Sequence, residues 1–161
     1  MRTFLTIIVL AFSSVQASWL KFDEGLALAA KERKTILVDF YTSWCHWCKV
    51  MDEKTFQSPE VAKLLQKRFV TVRVNAENPG ETVHFKGRRL TNVQLTQAFQ
   101  VSGFPSLAFI DKNGEPITII PGYVPPEEFI HILNYIDKEC YKQQMPFDEF
   151  KKKLDCQKQK K

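Results

Sequence analysis

Ile36-Leu37-Val38-Asp39-Phe40-Tyr41-Thr42-Ser43-Trp44-Cys45-His46-Trp47-Cys48-Lys49 sets a Cys-x-x-Cys pair where an apolar strand hands over to a helix. Two cysteines this close cannot bridge across a regular strand. At a helix start, the first is expected at the amino end with its sulfur exposed, and the second one turn in. The free N–H groups and the dipole of that helix favour a thiolate on Cys45, which makes it the nucleophile of disulfide exchange.

Other uses of Cys-x-x-Cys fit the chain less well. Haem attachment needs a histidine directly after the second cysteine, and Lys49 stands there. A zinc site normally takes four ligands, but Cys140 and Cys156 form no second Cys-x-x-Cys. His46 could serve as a third ligand with Cys45 and Cys48, so a metal-binding or chaperone module stays open, as does a purely structural disulfide. The preceding strand and tryptophan favour redox chemistry.

The amino terminus reads as an export signal. Met1-Arg2 is positive, residues 4–15 are almost unbroken apolar sequence, and Val15-Gln16-Ala17 ends the run with small residues at peptidase-read positions. The run is shorter than the roughly 20 apolar residues that span a bilayer. Cleavage is expected after residue 17, in an oxidising compartment. Residues 157–161 hold no retention signal, which favours the periplasm over a secretory lumen.

The rest of the chain is one domain's worth of sequence, expected as a domain over 18–145 and a Lys-rich extension over 146–161. The formal charge of +5 is a property of the tail. There, Lys151, Lys152, Lys153, Lys158, Lys160 and Lys161 face only Asp155. A solvated tail is the simple expectation, and attraction to an anionic membrane surface the sharper one. No aromatics interleave with these lysines, so nucleic acid is not an expected partner.

The remaining pattern alternates. Residues 23–34 read as a helix, 35–41 as a buried strand and 45–56 as the helix of the cysteine pair. Ser58-Pro59 opens a further helix to about residue 68, followed by a strand over 69–74. Residues 78–89 have loop composition, and Leu95, Ala98 and Phe99 mark a helix ending at residue 100. Strands at 107–110 and 117–120 flank the turn Asp111-Lys112-Asn113-Gly114. Phe129, Ile132, Leu133 and Ile136 form a helical stripe after Pro125-Pro126. This order implies an α/β fold, a mixed sheet with helices on both faces.

The run at 36–49, with Gly103-Phe104-Pro105-Ser106 and the Lys112-Asn113-Gly114-Glu115 hairpin far downstream, resembles the thioredoxin family over about residues 19–141. Residues 48–61 look closer to exported thioredoxin-related proteins and to the carboxy-terminal domain of the membrane thiol:disulfide interchange reductase. The resemblance implies a thioredoxin-like fold with Cys45 attacking, Cys48 resolving and Pro105 as the cis-proline facing them. Phe104 would then be free to pair with an extended substrate. Asp39 resembles the buried acid beneath the resolving cysteine, able to accept its proton if burial raises its pKa. No lysine matches the family's partner for that acid, and Arg73 is the candidate substitute. Trp44 and Trp47 are expected in packing and in substrate contact. His46 beside Cys45 is expected to stabilise the thiolate and make the pair more oxidising.

The function implied is an exported thiol:disulfide oxidoreductase, reductant or isomerase, with no cofactor beyond its own disulfide. Disulfide-containing exported proteins or apocytochrome thiols would be its substrates, and a membrane electron donor its source of reducing equivalents. A dedicated oxidant is the alternative direction. A monomer is expected, with His84-Phe85-Lys86-Gly87-Arg88-Arg89 as a solvated basic loop or a partner contact. An even cysteine count in an exported protein further suggests a Cys140–Cys156 disulfide, against a buried Cys140 with Cys156 free.

Overall fold

The computed structural model describes residues 18–156; the export signal expected over 1–17 and the last lysines lie outside the described residues. In chain order the elements begin α1 (Phe22–Glu32), β1 (Thr35–Tyr41) and α2 (His46–Met51), which runs on as a π-helical turn over Asp52–Phe56. Next come α3 (Pro59–Arg68), β2 (Phe69–Asn75), β3 (Thr82–Phe85), β4 (Arg88–Thr91) and α4 (Asn92–Ala98). Then follow β5 (Ser106–Ile110), β6 (Pro116–Pro121), α5 (Pro126–Asp137), a 3-10 turn over Cys140–Gln143 and α6 (Phe147–Lys153).

The main sheet has the order β2-β1-β5-β6. Strand β1 runs parallel to β2 and antiparallel to β5, and β6 runs antiparallel to β5. The period-2 alternation of β1 splits the core in two. Ile36, Val38 and Phe40 face Phe22 and Ala29 of α1 and Leu95 of α4. Leu37 faces the other way, toward Met51, Leu65, Phe129 and Leu133. Helices therefore cover both faces, as the alternating pattern predicts. Helix α1 lies so close to β2 that a Cβ on Gly25 would collide with the Val72 side chain.

Three expectations change. Residues 78–89 are not simply loop: β3 and β4 pair as a hairpin, turning through Lys86 and Gly87, both at positive φ. Each strand buries a single apolar side chain, Val83 or Leu90, too little for a periodic signal. The helix after Cys45 is α-helical only to Met51, where wider π turns take over. The Lys-rich extension is not wholly solvated: α6 packs onto α5, with Phe150 buried beside Cys140 and Cys156.

The extension is held by chemistry as well as packing. Cys140 and Cys156 form a disulfide with both residues buried. Tyr135 donates to the Met145 carbonyl (2.6 Å), and Lys151 pairs with Glu128 (3.0 Å). In the chain-entropy model a bridge of this span contributes about 3 kcal/mol. Replacing both cysteines by serine should lower unfolding free energy by roughly 2–4 kcal/mol in urea titrations, without loss of chemistry at Cys45 and Cys48.

Candidate active site

Cys45 and Cys48 form a disulfide at the carboxy-terminal end of β1, with a Cα–Cα distance of 5.3 Å. Cys45 is the N-cap of α2. Its backbone stays extended and its Sγ accepts the Cys48 backbone N–H at 3.0 Å. The same donor would serve a thiolate in the reduced protein. The expectation of an exposed first sulfur is not met in this oxidised state: Cys45 is 4% exposed and Cys48 8%. The cap geometry folds Sγ of Cys45 back over its own helix.

Behind the disulfide lies a charged cluster built by strand register. Asp39 on β1 stands opposite Arg73 on β2. Arg73 Nε donates to Asp39 Oδ2 (3.0 Å) and its Nη2 to Asp52 Oδ1 (2.9 Å). The guanidinium lies 4.2 Å from the Trp19 ring centroid and 5.5 Å from that of Tyr41. Arginine suits this position because its planar fork serves two carboxylates while its face stacks on rings. Burial pushes the Asp39 carboxyl up to about 6 against the pull of Arg73, and the Asp52 charge adds to the rise. Asp39, Thr42, Cys48, Lys49, Asp52 and Arg73 share the walls of a cleft of about 150 Å³.

The outer rim is aromatic. Trp44 and Trp47 are 66% and 55% exposed, unusual for large apolar rings. Trp44 Nε1 donates to Glu77 Oε2 (2.8 Å), and its ring meets Phe104 edge-on at 6.4 Å. Trp47 lies between His46 (5.8 Å) and Tyr123 (5.5 Å). The Phe104–Pro105 bond is cis, and the Pro105 carbonyl accepts the Gly122 N–H at 2.8 Å. Below, Thr55 Oγ1 in the π turn donates to the Val124 carbonyl (2.7 Å), tying the helix to the loop that carries Tyr123.

The structure thus brings Asp39 and Cys48 to one cleft and links Trp44 to Phe104, while the Cys140–Cys156 bridge lies apart on the extension. Arg73, the candidate substitute for the missing lysine, is the residue that pairs with Asp39. The sequence pattern does not single out Asp52, Trp19, Glu77 or Tyr123. Asp52 could have been found, since it lies four residues after Cys48 on the same helix face. The others arrive through long-range packing that leaves no local signal.

The Asp39 value sets a pH dependence of stability. Its folded pKa of about 6 lies above the ordinary 3.8, so folding favours the protonated carboxyl. The two states then differ little below about pH 4, stability falls as pH rises from about 4 to 6, and the cost levels off near 3 kcal/mol. Asp39→Asn should therefore be more stable than the parent at about pH 7.5 and nearly equal to it at about pH 4. Urea titrations at both pH values measure this, and an equal gain at both would contradict the buried-acid assignment.

Comparison with known proteins places this geometry. The family model for a thioredoxin-like domain matches residues 22–137. The thiol:disulfide interchange protein DsbD of Vibrio vulnificus is 33% identical over 118 residues, 72% of this chain and 18% of that protein. Human spermatogenesis-associated protein 20 is 34% identical over 105 residues, 65% of this chain and 13% of that protein. The chain therefore spans less than a fifth of the length of these relatives. Among solved structures, a thioredoxin from Thermus thermophilus superposes with a TM-score of 0.62 at 28% identity, covering 77% of this chain and 88% of that one. With its Cys45–Cys48 disulfide capping α2 and its family model matched over residues 22–137, the chain belongs to the family of thioredoxin-like domains.

Proposed function

We propose that the chain is an exported, periplasmic thiol:disulfide oxidoreductase that reduces or isomerises disulfides of exported proteins, apocytochromes included, and draws electrons from a membrane donor. The observation that carries this reading is the Cys45–Cys48 pair at a helix amino terminus, with a buried acid sharing a cleft with the second cysteine. Its similarity to an interchange protein supports exchange chemistry at this pair. Among the described residues no helix is long and apolar enough to cross a membrane.

In the reduced protein the Cys45 thiolate attacks one sulfur of a substrate disulfide. The substrate S–S bond breaks, one substrate sulfur leaves as thiolate, and a mixed disulfide links Cys45 to the other. Asp39 takes the proton of Cys48, and the Cys48 thiolate attacks Cys45 Sγ. The mixed disulfide then breaks toward the substrate, which departs reduced by two electrons, and the Cys45–Cys48 bond re-forms. Pro105 faces the disulfide, Phe104 offers main-chain groups to an extended substrate, and Trp44, His46 and Trp47 supply the surface on which it rests. The chain acts as a monomer in this scheme.

Trapping tests the assigned roles. Cys48→Ala should accumulate disulfide-linked substrate complexes on non-reducing gels, and Cys45→Ala almost none. Equal trapping by both would refute the roles. No trapping by either, with metal retained by the parent, would favour a metal module.

His46, exposed at the start of α2, favours the dedicated oxidant as the second reading. An imidazole beside Cys45 stabilises its thiolate and so the reduced form, and the expected potential is less negative than roughly −270 mV. Equilibration with glutathione buffers measures it, and His46→Ala should move the potential toward more negative values.

A further inference from the structure

Two buried polar atoms of the candidate site have no protein hydrogen-bond partner: Asp39 Oδ1 and Thr42 Oγ1. Both residues are only 2% exposed, and both line the cleft that holds Cys48. Arg73 occupies the other Asp39 oxygen, Oδ2, which leaves Oδ1 to receive a proton. The Thr42 backbone is fixed by its carbonyl, which accepts the Cys45 N–H at 3.3 Å. Buried hydroxyl and carboxylate oxygens are rarely left unpaired, because desolvation without a hydrogen bond is costly. The cleft, at about 150 Å³, is larger than the share of one liquid water, about 30 Å³, and its polar walls supply the partners that a bound water needs.

We infer that Thr42 is a positioning residue for the resolving step, its hydroxyl and Asp39 Oδ1 together holding a water beside Cys48 that carries the thiol proton to Asp39. The inference rests on the exchange reaction proposed above. The Cys48 S–H gives its proton to the water as the water gives one of its own to Oδ1. The resulting thiolate attacks Cys45 Sγ, and the electron pair of the mixed disulfide leaves on the substrate sulfur. The hydroxyl of Thr42 keeps its own proton throughout and fixes the position of the water. The other charged or titratable groups at the cleft are Arg73 from β2, Lys49 and Asp52 from the active-site helix, and Tyr41 of β1. Arg73 is engaged with Oδ2 and with Asp52, and no hydrogen bond joins any of these groups to Oδ1.

The experiment follows the reduced protein reacting with excess dithiobis(nitrobenzoate) in stopped flow. The first released thiolate reports attack by Cys45 and the second reports resolution by Cys48. Thr42→Val keeps the side-chain shape and removes the hydroxyl. It should leave the first phase unchanged, slow the second about tenfold, and move the inflection of the second-phase pH profile upward, since Asp39 loses support for its charged form. Thr42→Ser should restore both properties, and in the parent the second phase should slow in deuterated water while the first does not.

Three results would overturn the inference. One is a second phase and pH profile unaltered by Thr42→Val. Another is equal slowing of both phases that Thr42→Ser does not repair, and a third is a higher Tm in Thr42→Val, the signature of a hydroxyl that had no partner. Should the valine variant fail to fold, a parent second phase insensitive to deuterated water has the same force. Failure of the underlying exchange reading looks different: the parent itself would release one thiolate in a single phase, as Cys48→Ala must.

Discussion

Strand β1 is hydrogen-bonded along both edges and buried on both faces, and the rest of the molecule is arranged around that constraint. Six of its seven positions carry side chains compatible with the interior at little cost. The exception is Asp39, whose desolvation is only partly offset by Arg73. The same pairing that excludes water from the strand delivers the arginine, since Asp39 and Arg73 are register partners. A surface ion pair of these residues would be screened and weak. Here burial outweighs the pull of Arg73 and holds the Asp39 carboxyl up at about 6, in a cleft shared with Cys48.

The helix that follows completes the arrangement by geometry rather than by charge. Cys45 caps α2 with its sulfur, and Cys48 lies one turn in, within reach of the first sulfur for the disulfide. Four residues later Asp52 returns to the same side and takes the second arm of Arg73. The π turn over Asp52–Phe56 lets Met51, Thr55 and Phe56 remain buried along the same helix. Thr55 then fixes the loop of Tyr123 and Val124, so the aromatic rim and the acidic interior are supported by one helix.

The carboxy-terminal extension solves a separate problem. Helix α6 has seven residues, too few to persist alone. The Cys140–Cys156 bridge and the burial of Phe150 attach it to α5, while its lysines stay at the surface in exchange with Glu128 and Glu149. The basic character of this segment is thus compatible with a helix packed onto α5.

Sequence alone determined the order of the main-sheet strands and of the helices that cover them, the redox pair and the fold class. Those features are written in local periodicity and in a spacing of three residues, which the backbone converts directly into a shared helical turn. Asp39 was legible as well, because an acid within Leu37-Val38-Asp39-Phe40 violates the pattern around it. Only the tertiary structure decided what that acid meets. Arg73 is 34 residues away in sequence and becomes a neighbour through parallel pairing, and Trp19 and Asp52 reach the guanidinium from opposite directions along the chain. The β3–β4 hairpin was hidden for a related reason, each strand being too short to repeat its own pattern. The exposure of Cys45 was misjudged because a helix end looks open until its capping sulfur folds over it. Contacts between distant segments depend on packing and register, and neither leaves a periodic trace in the chain.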